Sequence, residues 1–410
     1  DAVERLTRFH DALRVRVDGD ELVLCHPDEE RLVHAETAPA GLTGEDLTDY
    51  LRALQERVDV RTGPAVALAT GLGEQGERCA LAIHHLAVDV VSWGILIEDL
   101  LACLADPSAP LAPKSMPFPS WTAELAAHAR NGGFRGQLPY WTGLARRAAA
   151  AGRMFEEDDI RRADTVSEVL RFPAAEVTDV LDTARKAHGA EHGQTVLAVV
   201  ARALGAWRGR DRILVTLEGH GRERFAEERD LTRTVGWFTA TFPHLVRLED
   251  GVGDTLHAIR RSFDRLPGKG SGYGPLCRFD PGLGEDRALL TGVRPQVGVN
   301  YLGEQGGRTE GIGVTHLPAE VTVDEDLRSP HILDVIAWRS DGALLIELRY
   351  PAAWHARGDG RALTDAVRES FRTVRDAVTT QGRPGFRTSS SVRPGVLDDI
   401  LSGIGGGDRR

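Results

Sequence analysis

Residues 84–93 read HHLAVDVVSW, and they follow the apolar run Cys79-Ala80-Leu81-Ala82-Ile83. The run predicts a buried strand over 79–83, and the apolar spacing of residues 92–104 predicts a packed helix. The paired histidines therefore lie at a strand-to-helix junction, where loops often carry catalytic groups. A neutral imidazole there can accept a proton near pH 7, and Asp89 can orient it or pair with a cation. The alternative interpretation is a satisfied core histidine beside an Asp or Ser that caps the helix.

A second polar cluster follows a strand in the other half of the chain. Residues 212–217 read RILVTL and predict a strand, which runs directly into the hexapeptide EGHGRE at 218–223. Its two glycines allow a tight turn, so the polar side chains project from the strand end. The functional interpretation is a second set of reactive groups. The alternative is a solvated turn whose charges pair with one another.

Composition limits the classes of function. The chain has 410 residues, 41% hydrophobic and 27% charged, which is typical of a globular protein of two or three domains. No apolar stretch is long enough for a membrane span and no signal peptide opens the chain, so we expect a cytoplasmic protein with no membrane partner. A formal net charge of −11 argues against nucleic acid as a partner. The four cysteines are widely spaced and predict buried free thiols, and the lack of an HExxH pattern predicts no metal site.

The order of predicted elements indicates an α/β protein with two lobes. The first lobe, 1–160, has strands predicted at 13–17, 21–25, 65–69 and 79–83 and helices at 92–104, 121–129 and 140–151. The second lobe, 161–410, has strands predicted at 166–172, 212–217, 297–301, 332–338 and 343–350 and helices at 174–186, 194–208, 255–266 and 360–378. Ser340-Asp341-Gly342 predicts a hairpin between the last two strands. Because each lobe carries a motif at a strand end, we expect a pseudo-twofold pair.

Together the motifs resemble one family, the epimerization domains of nonribosomal peptide synthetases, within the condensation-domain superfamily. The family's His-His-x-x-x-Asp-Gly-x-Ser-Trp is matched by HHLAVDVVSW, and its Glu-Gly-His-Gly-Arg-Glu stands unaltered at 218–223. Further matches follow in the family's order: HDALR at 10–14, RTVGWFT at 233–239, PGKGSGYG at 267–274 and NYLG at 300–303. The resemblance covers nearly the whole chain.

Three features depart from the family pattern. Val90 stands where Gly is usual, and Phe9 stands where the first His of HHDALR is usual. A β-branched residue at positive φ would be strained, so we expect Val90 to have ordinary dihedral angles and to pack against the following helix. The chain also opens at Asp1 inside a predicted helix, without the segment that precedes this helix in the family. The start of the first lobe is therefore expected to be incomplete.

The resemblance implies a fold and a catalytic site. The fold is α/β, with two chloramphenicol-acetyltransferase-like lobes in a pseudo-dimeric V and an active-site tunnel between them. His85 and Glu218, one from each lobe, would act as two bases, one removing the proton from one face of Cα and the other returning a proton to the opposite face. Tyr301 and Asn300 would stabilise the enolate oxygen of the intermediate.

Other matched residues would support this site. His84 would flank the base, and Asp89 and Arg222 would form an ion pair between the lobes. The glycine-rich loop at 268–274 would let the substrate arm approach, with contributions from Gly270, Gly272 and Tyr273. Trp93 and Trp237 are expected in the core, because large aromatic side chains dominate buried area.

The implied reaction is L to D inversion at Cα of an aminoacyl or peptidyl thioester on the 4'-phosphopantetheine arm of a peptidyl carrier protein. The chain would bind no cofactor of its own, because the thioester serves as the electron sink. The implied partners are a carrier domain directly upstream and the condensation domain of the next module downstream.

Two other functions stay open. A condensation domain of the same superfamily would use the second histidine to form peptide bonds. EGHGRE, the placement of Trp93 directly after Ser92, and the loop at 267–274 favour epimerization instead. A catalytically silent recruitment module would keep the fold to dock another protein. Members of that kind usually lose the second histidine or the acid, and this chain keeps both.

Overall fold

The computed structural model of the chain describes residues 1–19, 21–28, 31–74, 76, 78–157, 159–223, 225, 229–305, 307–309, 312–314 and 327–381. The first half contains five helices and five strands among these residues. The helices are α1 (Ala2–Phe9), α2 (Gly44–Gln55), α3 (Val90–Ala105), α4 (Phe118–Arg130) and α5 (Leu138–Ala151). The strands are β1 (Val15–Asp18), β2 (Glu21–Leu24), β3 (His34–Thr37), β4 (Val66–Leu72) and β5 (Arg78–Ile83).

A three-stranded sheet organises the first half. Strand β4 is central, parallel to β3 and antiparallel to β5. Because side chains alternate along a strand, β4 has two apolar faces. Val66 packs in one cluster with residues of α1 and α3, while Ala67 and Ala69 pack in another with Leu51 and Leu54 of α2. Strand β4 is therefore largely buried between helices, and β5 delivers the paired histidines at its carboxyl end.

The second half is larger. Its helices are α6 (Ala174–His188), α7 (His192–Arg208), α8 (Val252–Asp264), α9 (Tyr273–Phe279), α10 (Asp286–Thr291), α11 (Ala352–Arg357) and α12 (Asp359–Gln381). Its strands are β6 (Thr165–Phe172), β7 (Arg212–Gly219), β8 (Ala240–Arg247), β9 (Val297–Glu304), β10 (Gly307–Thr309), β11 (Ile312–Val314), β12 (Leu333–Ser340) and β13 (Ala343–Pro351).

Six of these strands form one sheet in the order β6-β13-β12-β9-β7-β8. Strand β9 is parallel to both neighbours, β12 and β7, whereas the other pairs are antiparallel. One face is apolar: Val215 of β7 and Val299 of β9 belong to a core cluster with residues of α6, α7, α8 and α12. Since alternate residues point to the opposite face, that face receives Thr216 and Glu218 of β7. The polar face is therefore the one available for chemistry.

Most predicted elements are present within a few residues of their predicted bounds. The predicted hairpin joins β12 to β13 in antiparallel register, and both Asp341 and Gly342 have positive φ, as a tight two-residue turn requires. The strand predicted at 13–17 is wrong at its start, because Asp11–Arg14 form a 3-10 turn and β1 begins at Val15. Strands β3 and β8 and helix α2 were not predicted.

The two halves exchange parts near the predicted lobe boundary at 160. Trp141 and Leu144 of α5 lie before the boundary, yet they belong to the core of the six-stranded sheet. Conversely, Val235 comes from the second half and lies in the core of the first. The boundary stays a prediction, and residues 382–410 of the second predicted lobe lie outside the described part of the chain.

Two expectations from composition concern the surface and the cysteines. No helix among the described residues is both long and apolar enough to cross a membrane. All four cysteines are free, and Cys25 and Cys103 are buried. The prediction of burial is wrong for Cys79, which lies in the exposed first two residues of β5, and Cys277 is only half-buried.

Candidate active site

The two histidines after β5 have different surroundings. His84 caps the 3-10 turn His85–Ala87, and its Nδ1 accepts a hydrogen bond from the backbone N–H of Leu86 at 3.2 Å. Burial, together with the neighbouring His85, lowers the pKa of His84, which favours the unprotonated Nδ1 that this bond requires. His85 is exposed instead, and its ring centroid lies 5.4 Å from that of Trp237. The turn thus presents the second histidine to the second half of the chain.

Asp89 joins the two halves. It is only 3% exposed, and its Oδ1 caps α3 by accepting the backbone N–H of Ser92 at 2.7 Å. Arg222 Nη2 donates to the same oxygen at 3.1 Å, and the backbone N–H of Phe238 donates to Oδ2 at 3.1 Å. The predicted ion pair between Asp89 and Arg222 is therefore present, and the same carboxylate also fixes the start of α3.

Arg222 in turn anchors a loop of its own half. Its Nη1 donates to the carbonyl oxygens of Leu231 at 3.0 Å and Thr234 at 2.8 Å, and its guanidinium lies 3.9 Å from the ring centroid of Phe238. Burial lowers the pKa of Arg222, and Asp89 opposes that shift. An arginine stays charged under these conditions, so its function here is structural support.

Gly221 explains why the hexapeptide needs its second glycine. Its φ is +65°, and a Cβ built there would lie 1.7 Å from the carbonyl oxygen of Phe238. Any side chain at this position would push apart the strand end and the loop that carries Trp237. The second glycine of EGHGRE is therefore required by a close approach of two backbone segments.

Glu218 is held in place from the neighbouring strand. Leu217 of β7 is paired with Val299 of β9 in parallel register, so the next residues, Glu218 and Asn300, lie side by side on the polar face. Asn300 Nδ2 donates to Glu218 Oε2 at 2.5 Å. Glu218 is exposed to solvent, yet the protein atoms around it desolvate its carboxylate.

The charges around Glu218 come from both halves of the chain. Burial raises the pKa of Glu218 from its ordinary value, and His85 lowers it. From the second half, Asp334 raises this pKa and His331 lowers it. Two predicted site residues that are far apart in sequence, His85 and Glu218, are thus within electrostatic reach of each other.

Tyr301 is placed differently from its neighbour Asn300. Adjacent residues of a strand point to opposite faces, and the ring of Tyr301 packs beside the start of α7, where a Cβ on Gly193 would lie 3.2 Å from Cδ1. Burial raises the pKa of Tyr301. Of the two residues predicted to stabilise an enolate, the structure brings only Asn300 to Glu218. An enolate-stabilising role of Tyr301 stays a prediction.

The glycine-rich loop passes the end of β7. Gly270 has a φ of +90°, and a Cβ there would lie 2.2 Å from the ring of Phe242. Gly272 packs against Gln137, whose side chain would lie 2.5 Å from an added Cβ. The carbonyl oxygen of Lys269 lies 3.5 Å from the Cβ position of Gly219, so the loop runs beside the residue after Glu218. This position suits a substrate-arm loop, a role that stays a prediction.

Tyr273 makes packing contacts, and its predicted role in lining the substrate-arm loop stays a prediction. Its hydroxyl donates to the carbonyl oxygen of Leu290 at 2.8 Å, and its ring packs 4.8 Å from that of Trp141. Because Tyr273 begins α9, its side chain turns into the core of the second half. These contacts hold the ring of Tyr273 against the second core.

Two features were missed or misplaced by the sequence reasoning. Trp237 was expected in the core, but it is 43% exposed beside His85, because the anchored loop carries it out of the second core and toward β5. The pair His331 and Asp334 was not singled out. In the sequence this pair is only a His three residues before an Asp at the start of a predicted strand. That pattern is too common to identify a functional pair without the fold.

A further expectation concerned metals. No group of three or more His, Cys, Asp or Glu side chains in the described ranges is arranged to hold a metal ion.

Comparison with known proteins assigns the family. The condensation-domain family matches residues 1–374. The chain is a condensation-domain family member. Surfactin synthase subunit 1 of Bacillus subtilis is 31% identical over 365 residues, which cover 85% of this chain and 10% of that protein. Tyrocidine synthase 1 of Brevibacillus parabrevis is 31% identical over 331 residues, which cover 74% of this chain and 29% of that protein. This condensation-domain chain thus spans a small part of the curated relatives it matches.

Solved structures agree with this fold. The epimerization domain from the third module of tyrocidine synthetase B superposes with a TM-score of 0.82 at 24% identity, covering 92% of this chain and 89% of that one. A condensation domain that mediates chain release from the enacyloxin polyketide synthase superposes with a TM-score of 0.65 at 18% identity, covering 96% and 76%. The predicted α/β fold class is confirmed as that of condensation domains.

Proposed function

We propose that this chain inverts the Cα configuration of an aminoacyl or peptidyl thioester, with His85 and Glu218 as the two bases. The observation that carries the proposal is the placement of Glu218. It is oriented by Asn300 at 2.5 Å, its pKa is raised by burial, and it lies within electrostatic reach of His85 from the other half. Two groups of this kind, mounted on different halves, suit proton removal from one face of a carbon and proton return to the other.

The proton balance of this reaction fixes the starting state. One base must be free and the other must carry a proton, so the pair holds a single transferable proton before each turnover. Either His85 is neutral and Glu218 protonated, or His85 is protonated and Glu218 ionised. Burial raises the pKa of Glu218 and so favours the first state, whereas the charge of His85 favours the second. Burial is the larger effect, so the pKa of Glu218 is raised overall, which brings the two states closer in free energy and suits a two-base reaction near neutral pH.

The intermediate is an enolate formed when the Cα–H bond breaks and its electron pair moves onto the thioester oxygen. That oxygen needs donors placed in advance. The side-chain amide of Asn300 has two N–H groups, one of which goes to Glu218, and the second is the donor we assign to the enolate. The thioester supplies the electron sink, so the proposal includes no cofactor bound by this chain.

The carrier is part of the proposal. A thioester on the phosphopantetheine arm of a peptidyl carrier domain would enter between the two halves, in the tunnel of a V-shaped pair of lobes, past the loop at 268–274. A tether holds the thioester between the bases, so a free amino acid forfeits most of the rate. We propose a carrier domain upstream and the condensation domain of a next module downstream as the neighbours in a synthetase.

The test uses carrier domains loaded with a panel of L-aminoacyl thioesters, incubated with the chain in deuterated water. Chiral chromatography of the hydrolysed product and the mass of its Cα hydrogen report inversion and exchange. We expect the unmodified chain to produce the D form, and His85→Ala and Glu218→Gln to lose inversion while staying folded. If each base serves one face, one variant will keep deuterium exchange from a single enantiomer.

Controls and contrary outcomes are clear-cut. His355→Ala and Glu45→Gln change an exposed histidine and an exposed glutamate away from the site and should leave inversion unchanged. Full inversion by both site variants would refute the assignment of the bases. Peptide-bond formation between two loaded carriers without inversion would identify a condensation domain. Carrier binding without either reaction would identify a recruitment module.

A further inference from the structure

A second hydrogen-bonded acid–base pair lies on the polar face of the six-stranded sheet. His331 Nδ1 is 2.6 Å from Asp334 Oδ1, and His331 Nε2 is 2.8 Å from Thr216 Oγ1. Ser329 Oγ donates to the other oxygen of Asp334 at 3.3 Å. His331 therefore spans from the start of β12 to β7, with a carboxylate on one ring nitrogen and a hydroxyl on the other.

The sheet is built to accept this pair. Gly298 of β9 is paired with Asp334 on one side and with Thr216 on the other. A Cβ on Gly298 would lie 2.5 Å from both Asp334 Oδ1 and His331 Nδ1. Only a glycine at position 298 leaves room for the imidazole of His331 to lie across β9, between β12 and β7. The glycine is required by this lack of space and not by a positive φ.

The pair lies one row below the proposed base. Thr216 and Glu218 are two residues apart on β7 and share a face, as do Gly298 and Asn300 on β9. The lower row is thus Thr216, Gly298 and Asp334, and the upper row begins with Glu218 and Asn300. The side chains of His331 and Asp334 are 14% and 24% exposed, so their charges act on Glu218 through protein as well as solvent.

We propose that His331 and Asp334, anchored on Thr216, form a positioning pair that sets the local charge on the polar face of the sheet, one row below Glu218. The inference rests on the proposed function for its catalytic meaning. Among the described residues, the titratable groups that act on Glu218 are His85 from the first half and Asp334 and His331 from the second. Asp334 disfavours the ionised carboxylate and His331 favours it, so the two members of the pair act in opposite directions.

Because Asp334 and His331 act on Glu218 in opposite directions, replacing each should shift its protonation midpoint in opposite directions. General damage to the sheet would not produce this pattern. Asp334→Asn removes a negative charge, so the protonation midpoint of Glu218 should move to lower pH. His331→Asn removes the positive charge available there, so the midpoint should move to higher pH. Ser329→Ala removes a neutral hydrogen-bond donor from the same pair and should leave the midpoint unchanged.

The readout is the pH dependence of carbodiimide labelling of Glu218, because only the protonated carboxyl reacts. Peptide mass spectrometry measures the label, and exposed Glu45 in the same digest corrects for the reagent's own pH dependence. Thermal unfolding of each variant checks folding. Midpoints that do not move, or that move in the same direction in Asp334→Asn and His331→Asn, would overturn the inference.

The same variants in the inversion assay separate this inference from the proposed function. Opposite midpoint shifts in a chain that never inverts a carrier-bound thioester would retain the positioning pair and reject the epimerase. Inversion by the unmodified chain with no midpoint shift in the variants would do the reverse. If both hold, the pH profile of inversion should move in the same direction as the labelling midpoint in each variant.

Discussion

Replacing Asp89 by alanine should destabilise the whole chain, although the residue lies next to a proposed catalytic loop. The carboxylate accepts hydrogen bonds from Ser92, Arg222 and Phe238, and it is almost fully buried. In Asp89→Ala the Arg222 side chain, which is 9% exposed, keeps its charge and loses its counterion. The start of α3 also loses its cap.

The size of the effect follows from these contacts. Breaking a buried ion pair by removing one partner costs about 3–5 kcal/mol, because the other charge stays buried. A lost helix cap costs about 1 kcal/mol. Arg222 keeps its hydrogen bonds to the carbonyl oxygens of Leu231 and Thr234, which places the total cost near the lower end of the combined range, at about 4 kcal/mol. Asp89→Asn keeps an oxygen for the cap and should cost about 2 kcal/mol, the contribution of a charge-assisted hydrogen bond.

A double-mutant cycle measures the coupling. Urea unfolding of Asp89→Ala, Arg222→Met and the double variant should give an interaction free energy of about 2 kcal/mol or more, because the double variant leaves no buried charge. The matched control is the exposed pair Arg229–Glu124, whose N–O distance of 2.8 Å is similar; Glu124→Ala should cost less than about 1 kcal/mol. A cost below about 1 kcal/mol for Asp89→Ala, or additive single variants, would refute the argument that this pair holds the halves together.

Three further outcomes are expected. Glu218→Gln should raise the urea midpoint at neutral pH. The pKa of Glu218 is raised above 4.5 in the folded state, so the unmodified chain loses stability as the pH rises through this folded pKa, and the variant does not. The gain should vanish below pH 4.5, and an unchanged gain at low pH would contradict this reasoning. Val90→Gly should change the free energy of unfolding by less than about 0.5 kcal/mol and leave inversion unaltered. Val90 begins α3, is 46% exposed and is not among the described positive-φ residues. An increase in the free energy of unfolding of more than about 1 kcal/mol would show that Val90 is strained. Gly221→Ala should lower the free energy of unfolding in urea by at least about 2 kcal/mol. The matched control is Gly209→Ala, because Gly209 has a similar φ of +64° but nothing within 4 Å of its Cβ position, and it should cost only about 1 kcal/mol. Equal costs would exclude the clash with Phe238 as the cause.

Val90 illustrates how far a motif departure can be interpreted from sequence. The expectation of ordinary dihedral angles is confirmed, since Val90 is the first residue of α3. The expectation that it packs against the helix is wrong, because the first turn of α3 directs its side chain to solvent. Backbone conformation followed from local chemistry, but burial depended on what the helix lies against.

Strand β8 shows the same limit for secondary structure. Its sequence contains Pro243, which cannot donate to a ladder and argues against a central strand. The structure accommodates the proline because β8 lies at the edge of the six-stranded sheet and, in the described part of the chain, pairs with β7 alone. Strand order, which decides whether a proline is tolerated, depends on contacts between distant segments.

The sequence by itself determined the α/β character, the placement of both motifs at strand ends, and the residue types at the candidate site, because hydrophobic period and turn chemistry are local properties. Only the tertiary structure decided which side chains meet. The parallel register of β7 with β9 puts Asn300 on Glu218 and sends Tyr301 to the other face, and the Arg222 anchor brings Trp237 to His85. The bridge of His331 from Asp334 to Thr216 depends on the same register. A shift of one residue along a strand reverses the face of every side chain, and this register is set by packing across segments separated by 80 residues or more, as in the Asn300–Glu218 contact, where the separation is 82.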